Sequence, residues 1–329
     1  LNRARVPWLD EDRARDTFAD LEGRLDPAAP EECADVRILG YGELSAALTI
    51  DGLPGTVCKR MAGFASTAAA DEYCALVDEY LAEVRASAVR VAETVPIPVP
   101  RPGRHPVVYL VQPLLDPATL GNSLLHSADD ATLAAAIRLA LGAVARVAHG
   151  TAARADGVEV AIDGQLSNWA YTDGSASTAP GGELPEPILI DVGTPFMRRN
   201  GRHVMQREYL LSPVPPGIRT YYGRRGLVEA YLDDYFVPRT VALDLLGNFH
   251  KEGASERLGL AASVVNEWLA NADIPGPREP IHVTEVAEYY RKDADLLALY
   301  LRLRRMDRFI RTRVMRREYD FVLPGPVRR

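Results

Sequence analysis

Along the first third of the chain, apolar and polar residues alternate in short runs. Beyond that, apolar residues recur every three to four positions. A period of two marks strands with one buried face, and a period near 3.6 marks amphipathic helices. Residues 14–25 fit a short helix that stops before Pro27 and Pro30, because a proline ring removes a donor and clashes with the preceding turn. Residues 36–39, 44–50 and 56–61 then read as three short strands, joined by Gly40-Tyr41-Gly42 and by Asp51-Gly52-Leu53-Pro54-Gly55. Connections this short predict an antiparallel meander. Residues 66–86 follow as a helix, with Ser66 or Thr67 as cap and Tyr73, Leu76, Val77, Tyr80, Leu81 and Val84 on its apolar stripe. The proline-rich run 95–106 is excluded from a central strand or a helix interior. Together with strand-like 107–112 it predicts two edge strands around a turn.

Residues 130–149 form a long Ala/Leu/Val helix broken only by Arg138 and Arg146, which predicts a central, buried element. Short strands at 158–162, 168–171 and 188–190 come next, the last two separated by a low-complexity loop rich in Gly, Ser, Ala and Pro. Helices are expected at 227–236, 255–270 and 283–313, with a break at 275–280. Strands followed by helices predict an α+β protein of two segregated lobes, divided as 1–113 and 114–329.

Composition narrows the class. Of 329 residues 47% are hydrophobic and 25% charged, the balance of a soluble globular protein. The net charge of −7 argues against nucleic acid as a partner, which would call for a broad basic surface. Cys33, Cys58 and Cys74 form no CxxC pair and no disulfide framework, which suits a reducing cytoplasm. No run of about 18 apolar residues suggests a membrane span. The histidines show no metal-ligand spacing, so no zinc is expected. Arginine outnumbers lysine so heavily that only Lys59, Lys251 and Lys292 occur. The arginine excess reads as a compositional background, and the run 302–317 as a solvated helix surface.

Against that background several groups carry chemistry. Gly40, Gly42 and Ser45 form a G-x-G-x-x-S turn whose backbone N–H groups can approach phosphate oxygens. Lys59, in Val57-Cys58-Lys59-Arg60-Met61, can aim an ammonium from a strand into a cleft, and a glutamate on the following helix can pair with it. Glu72 is the first choice and Glu79 the alternative. The sequence Ile162-Asp163-Gly164-Gln165-Leu166-Ser167-Asn168-Trp169 places a carboxylate and an amide five apart on one loop. Asp163 can accept or orient a hydroxyl proton, and Asn168 can give oxygen to Mg²⁺. Downstream, Ile188-Leu189-Ile190-Asp191-Val192-Gly193 ends an apolar strand on an acid, a second metal ligand.

In order and spacing, Gly40/Gly42, Lys59, Glu72, Asp163, Asn168 and Asp191/Gly193 resemble the protein-kinase-like superfamily, closest to its aminoglycoside phosphotransferase branch. The resemblance covers about 36–193. It implies a bilobal fold, ATP and Mg²⁺ as cofactors, Lys59 on the α and β phosphates, Asp163 at the acceptor hydroxyl, and Asn168 and Asp191 on the metal. Gln112, at the end of its strand, is a further nucleotide contact. Ala161 stands where the family usually has histidine, Gln165 where a basic residue is common, and Ser45 in place of the third glycine. The implied activity is transfer of the γ-phosphate to a hydroxyl of a small molecule, since no A-P-E signature for a protein substrate follows Asp191. Residues 194–225 and the C-terminal helices would build the acceptor pocket, with Tyr221, Tyr222, Asp233 and Asp234 as polar candidates. A pseudokinase and a nucleotidyltransferase on the same fold are the alternatives.

Overall fold

Strands β1 (Val36–Tyr41), β2 (Ser45–Ile50), β3 (Thr56–Met61), β5 (Val95–Val99) and β6 (Val107–Pro113) form an antiparallel sheet in the order β1-β2-β3-β6-β5. This is a computed structural model, and it describes residues 6–42, 45–152, 154–172, 184–205, 207–215, 217–220 and 226–323. Helix α1 (Glu11–Arg24) is capped by Asp10, whose Oδ1 accepts from the Arg13 N–H at 3.1 Å. Helix α2 (Thr67–Ala86) is capped by Ser66 through the Ala69 N–H. Pro96 and Pro98 lie in β5, which is an edge strand, as donors missing from a ladder require. The expectation of two edge strands is corrected for β6, which lies between β3 and β5 and is buried on both faces.

That two-sided burial organises the first lobe. On β6, Val107, Tyr109 and Val111 face α1, whereas Val108 and Leu110 face α2. On β3 the same alternation sends Arg60 to the α1 side and leaves Lys59 on the other. The chain returns to this lobe at its far end, where Tyr319 and Phe321 join the core beneath α1, a contact that the division at 113/114 did not anticipate.

A buried ionic network fastens that return. Glu22 accepts from Arg60 Nε at 2.6 Å and Nη2 at 2.9 Å, from Arg101 at 3.2 Å and from the Tyr109 hydroxyl at 2.5 Å. Arg60 also donates to the Asp320 carbonyl at 2.6 Å, and Arg101 to the Asp320 carboxylate at 2.5 Å. Burial opposes ionisation of Glu22, but Arg60, Tyr109 and Arg101 outweigh it and hold its carboxyl down at about 2. None of these partners was singled out from the sequence.

The second lobe is helical: α3 (Gly121–Ser127), α4 (Asp130–Ala152), α5 (Arg207–Leu211), α6 (Leu227–Asp233), α7 (Pro238–Lys251), α8 (Leu258–Asn271) and α9 (Val283–Phe309). Helix α4 packs against α7 and α8, and α7 against α9. By length and composition α4 could cross a membrane, contrary to the sequence expectation of no such run, but half of its apolar window is buried in this core. Helix α7 was not predicted. Its first residue is Pro238, which reads as a break but is favoured at the first helical position, where its missing N–H costs nothing.

Two small sheets follow, and the second of them joins the lobes. Strands β7 (Val158–Val160), β10 (Met197–Arg199) and β11 (Arg202–His203) make one of them. Strands β4 (Arg90–Val91), β8 (Trp169–Ala170) and β9 (Ile188–Leu189) make the other, with β4 parallel to β9. Strands β4, β10 and β11 are too short to leave a periodic signal. The chain thus has the α+β arrangement that its residue pattern implies, with an antiparallel β-rich first lobe and a mainly helical second.

Candidate active site

Lys59 crosses from β3 to the end of β9, where its Nζ lies 2.8 Å from Asp191 Oδ1. Loss of water opposes ionisation of Asp191, but the Lys59 ammonium and the Gly193 N–H, 3.2 Å away, outweigh it and hold the carboxyl below its usual range. The Gly193 carbonyl in turn accepts from the Tyr73 hydroxyl of α2 at 2.7 Å. The loop between β7 and β8 sits beside this pair. Its Asn168 carbonyl accepts from the Ile190 N–H at 2.9 Å, so the Asn168 and Asp191 segments run side by side. Asp163 Oδ1 accepts from the Gln165 N–H at 2.9 Å, a local turn that orients the carboxylate.

Two contacts hold this loop in place. The Tyr80 hydroxyl, one turn pair along α2 from Tyr73, donates to the Ala161 carbonyl at 2.9 Å. The backbone is thereby supported at the position where the resemblance leads one to expect histidine. Helix α3 begins on Gly121, whose Cα meets the loop so closely that a Cβ there would lie 2.0 Å from the Leu166 carbonyl oxygen. Gly121→Ala is therefore expected to displace the loop and to lower stability by about 1–3 kcal/mol. Thermal unfolding of the variant checks this, and an unchanged midpoint would show that the loop yields at no cost.

Helix α7 supplies the residues that sequence reasoning missed. Gln165 donates to Asp244 at 2.6 Å, and the Tyr289 hydroxyl of α9 donates to the other oxygen of Asp244 at 3.0 Å. Gln165 Oε1 accepts from Asn248 at 3.3 Å and from Lys251 Nζ at 3.4 Å. Burial, and then the neighbouring Asp244, push the Asp163 carboxyl well above the usual range, against the pull of the Gln165 N–H and the Lys251 ammonium. Burial raises Asp244 as well, although Gln165 and Lys251 counteract it. Two carboxyls that repel one another this closely share protons rather than both ionising. Lys251 thus brings from α7 a positive charge that the loop itself lacks at Gln165. The scarcity of lysine was the one sequence signal that pointed to it.

Other candidates fall elsewhere. Glu72 lies exposed on α2 and the carboxylate beside Lys59 is Asp191, not a helix glutamate. Glu79 pairs with Arg199, and Glu83 with Arg154. Gln112 donates to Thr94 Oγ1 at 2.9 Å and to the Ile190 carbonyl at 3.0 Å, so its amide ties β6 to the strand that carries Asp191. Gly40 lies within β1, past a register shift, rather than in a turn. The Gly42 N–H donates to the Ser45 carbonyl at 2.9 Å, and a Cβ on Gly42 would lie 2.8 Å from Ser45 Oγ. Residues 43 and 44 between them, and Tyr221 and Tyr222, lie outside the described residues. Asp233 is bound by Arg198 and by His203, the latter at 2.7 Å, whereas Asp234 lines a cavity of about 290 Å³ together with Asp244, Tyr289 and Lys292. Arg304, from the run expected to be solvated, is fully buried and donates to the Val322 carbonyl at 3.2 Å.

The β-rich lobe and the helical lobe thus meet where Lys59 and Asp191 pair beside the loop that carries Asp163 and Asn168. Residues 20–308 match the family described as "Family of unknown function (DUF6206)", and the chain belongs to that family. No curated protein matches the sequence. Among solved structures, WaaP in complex with acyl carrier protein is similar at 12% identity and a TM-score of 0.33, over 86% of this chain and 93% of that one. The GDP and kanamycin complex of APH(2")-IIIa is similar at 14% identity and a TM-score of 0.32, over 83% of this chain and 92% of that one.

Proposed function

We propose that the chain is an ATP- and Mg²⁺-dependent phosphotransferase that moves a γ-phosphoryl group onto a hydroxyl of a small molecule. The observation that carries this reading is the 2.8 Å pair between Lys59 and Asp191, held beside a loop that presents Asp163 and Asn168. A cation for phosphate oxygens, hard oxygen donors for a metal and a carboxylate for the hydroxyl are the parts this chemistry needs. Asn168 and Asp191 would hold Mg²⁺. Their oxygens suit a hard cation, and among the described residues no group of three His, Cys, Asp or Glu forms a metal cluster. That donor set fits an ion which keeps water and phosphate oxygens in its shell. Bound there, Mg²⁺ supplies charge neutralisation at the transferring group.

The protein's own residues do the rest. Lys59, on a central strand, positions the phosphates. Asp163 orients the acceptor hydroxyl and takes its proton as the new O–P bond forms and the bridging P–O bond to the departing diphosphate breaks. Its raised proton affinity suits a base that works near neutral pH. Tyr73 and Tyr80 hold both loops against α2, so the constellation is braced before substrate arrives.

Calorimetric titration with ATP, with and without Mg²⁺, tests the reading. Binding is expected to require Mg²⁺ and to weaken at least tenfold in Asp191→Ala. Absence of binding under both conditions would overturn it in favour of a pseudokinase. A mass gain on the acceptor larger than one phosphoryl group would favour nucleotidyl transfer.

A further inference from the structure

Beyond the polar cavity at Asp244, an apolar groove of about 280 Å³ runs between α5, α6 and α9. Leu296, Leu299 and Leu303 follow one another at helical spacing along α9, and Leu210 and Leu227 face them from the other two helices. Surface leucines scattered singly need no explanation, but a contiguous lined groove does. Here Leu227, Leu296 and Leu299 remain 44%, 48% and 41% exposed.

The groove is continuous with the polar cavity. Tyr231, Asp293 and Leu296 line both. The polar cavity is otherwise walled by Asp234, Asp244, Tyr289 and Lys292, and Asp244 is hydrogen-bonded to Gln165 of the Asp163 loop. A hydrogen bond therefore ties the proton-accepting loop to the wall of a polar chamber, and that chamber is continuous with a leucine-lined channel. An acceptor that was polar throughout would leave the channel wet, and a purely apolar one would set hydrocarbon against the charged groups of Asp234, Lys292 and Asp293.

We infer that the acceptor is an amphiphilic alcohol, with its hydroxylated head in the chamber beside Asp244 and Tyr289 and a hydrocarbon tail in the leucine groove between α6 and α9. This rests on the phosphotransferase reading for the fate of the hydroxyl, but not for the groove. The continuity of the two cavities selects the acceptor's own tail as occupant over a second copy of the chain or an unrelated partner.

The test uses the full chain and n-alkyl β-D-glucosides from methyl to octyl, each below its micelle concentration, titrated by calorimetry. Affinity is expected to rise by about fourfold per buried methylene. That rise is expected to flatten in the doubly substituted Leu296→Asp, Leu299→Asp protein. Both side chains are exposed, so folding is retained, and an ATP titration of the same samples verifies it. Chain-length dependence that is absent, or that survives the double substitution, overturns the inference. Light scattering that finds a dimer in the parent and a monomer in the variant also overturns it, by making a second copy the occupant. Chain-length dependence without ATP binding would sustain the groove and reject phosphotransfer, whereas ATP binding without it would sustain phosphotransfer with a wholly polar acceptor.

Discussion

Glu22→Gln lowers the stability of the protein by about 3–5 kcal/mol, because it leaves the buried guanidinium groups of Arg60 and Arg101 without their shared carboxylate. The thermal midpoint at pH 7 is expected to fall by about 10 °C. The pH dependence follows from the same contacts. Folding depresses the Glu22 carboxyl to about 2, so its contribution is complete above the ordinary value of 4.5 and is lost as pH falls through the folded value. The Gln variant therefore loses less stability than the parent between pH 5 and pH 2. Midpoints measured across that range decide the matter, and equal midpoints at pH 7 would show that the network adds nothing.

Asp163→Asn is expected to reduce kcat by about 10²- to 10⁴-fold, the share of a positioned proton acceptor, while ATP binding is retained. The parent's rate should rise with pH as Asp163 gives up its proton, and burial and Asp244 displace that rise upward from the usual carboxylate range. Asp244→Asn removes the facing charge and is expected to move the acidic limb to lower pH. A limb that stays in place would separate Asp244 from the titration.

The sequence made the strands of the first lobe and the position of the Asp163 loop legible because both rest on local signals. Strand alternation between 36 and 61 depends on near neighbours and locates Lys59 within its strand, while Asp163, Asn168 and Asp191 lie close to the ends of short strands. Glu72 shows the limit of that reasoning. Helical spacing puts it on a plausible face, but which carboxylate meets Lys59 depends on how α2 docks: Asp191 makes that contact, and α2 reaches the site through Tyr73 and Tyr80. The loss of α7 was costlier. The expected helices left 237–254 without an element and so missed the one that carries Asp244, Asn248 and Lys251, and the partners of Gln165 with it. Treating arginine as compositional background hid Arg60, Arg101 and Arg304, whose burial follows from carboxylates and carbonyls far away in the chain.

The bond from Arg60 to the Asp320 carbonyl spans 260 positions, and that separation governs when the first lobe can be completed during synthesis. Domains generally fold as units as they leave the ribosome, N-terminal parts first. Here the strands and α1 emerge early, yet Arg60 and Arg101 lack a main-chain and a carboxylate partner until Asp320 has been translated and released. Until then the nascent lobe keeps an incomplete core beneath α1, with the places of Tyr319 and Phe321 still open. The second lobe waits almost as long, since α4 packs against α8, and α7 against α9, which ends only at Phe309. The first lobe, although translated first, is thus not completed ahead of the second.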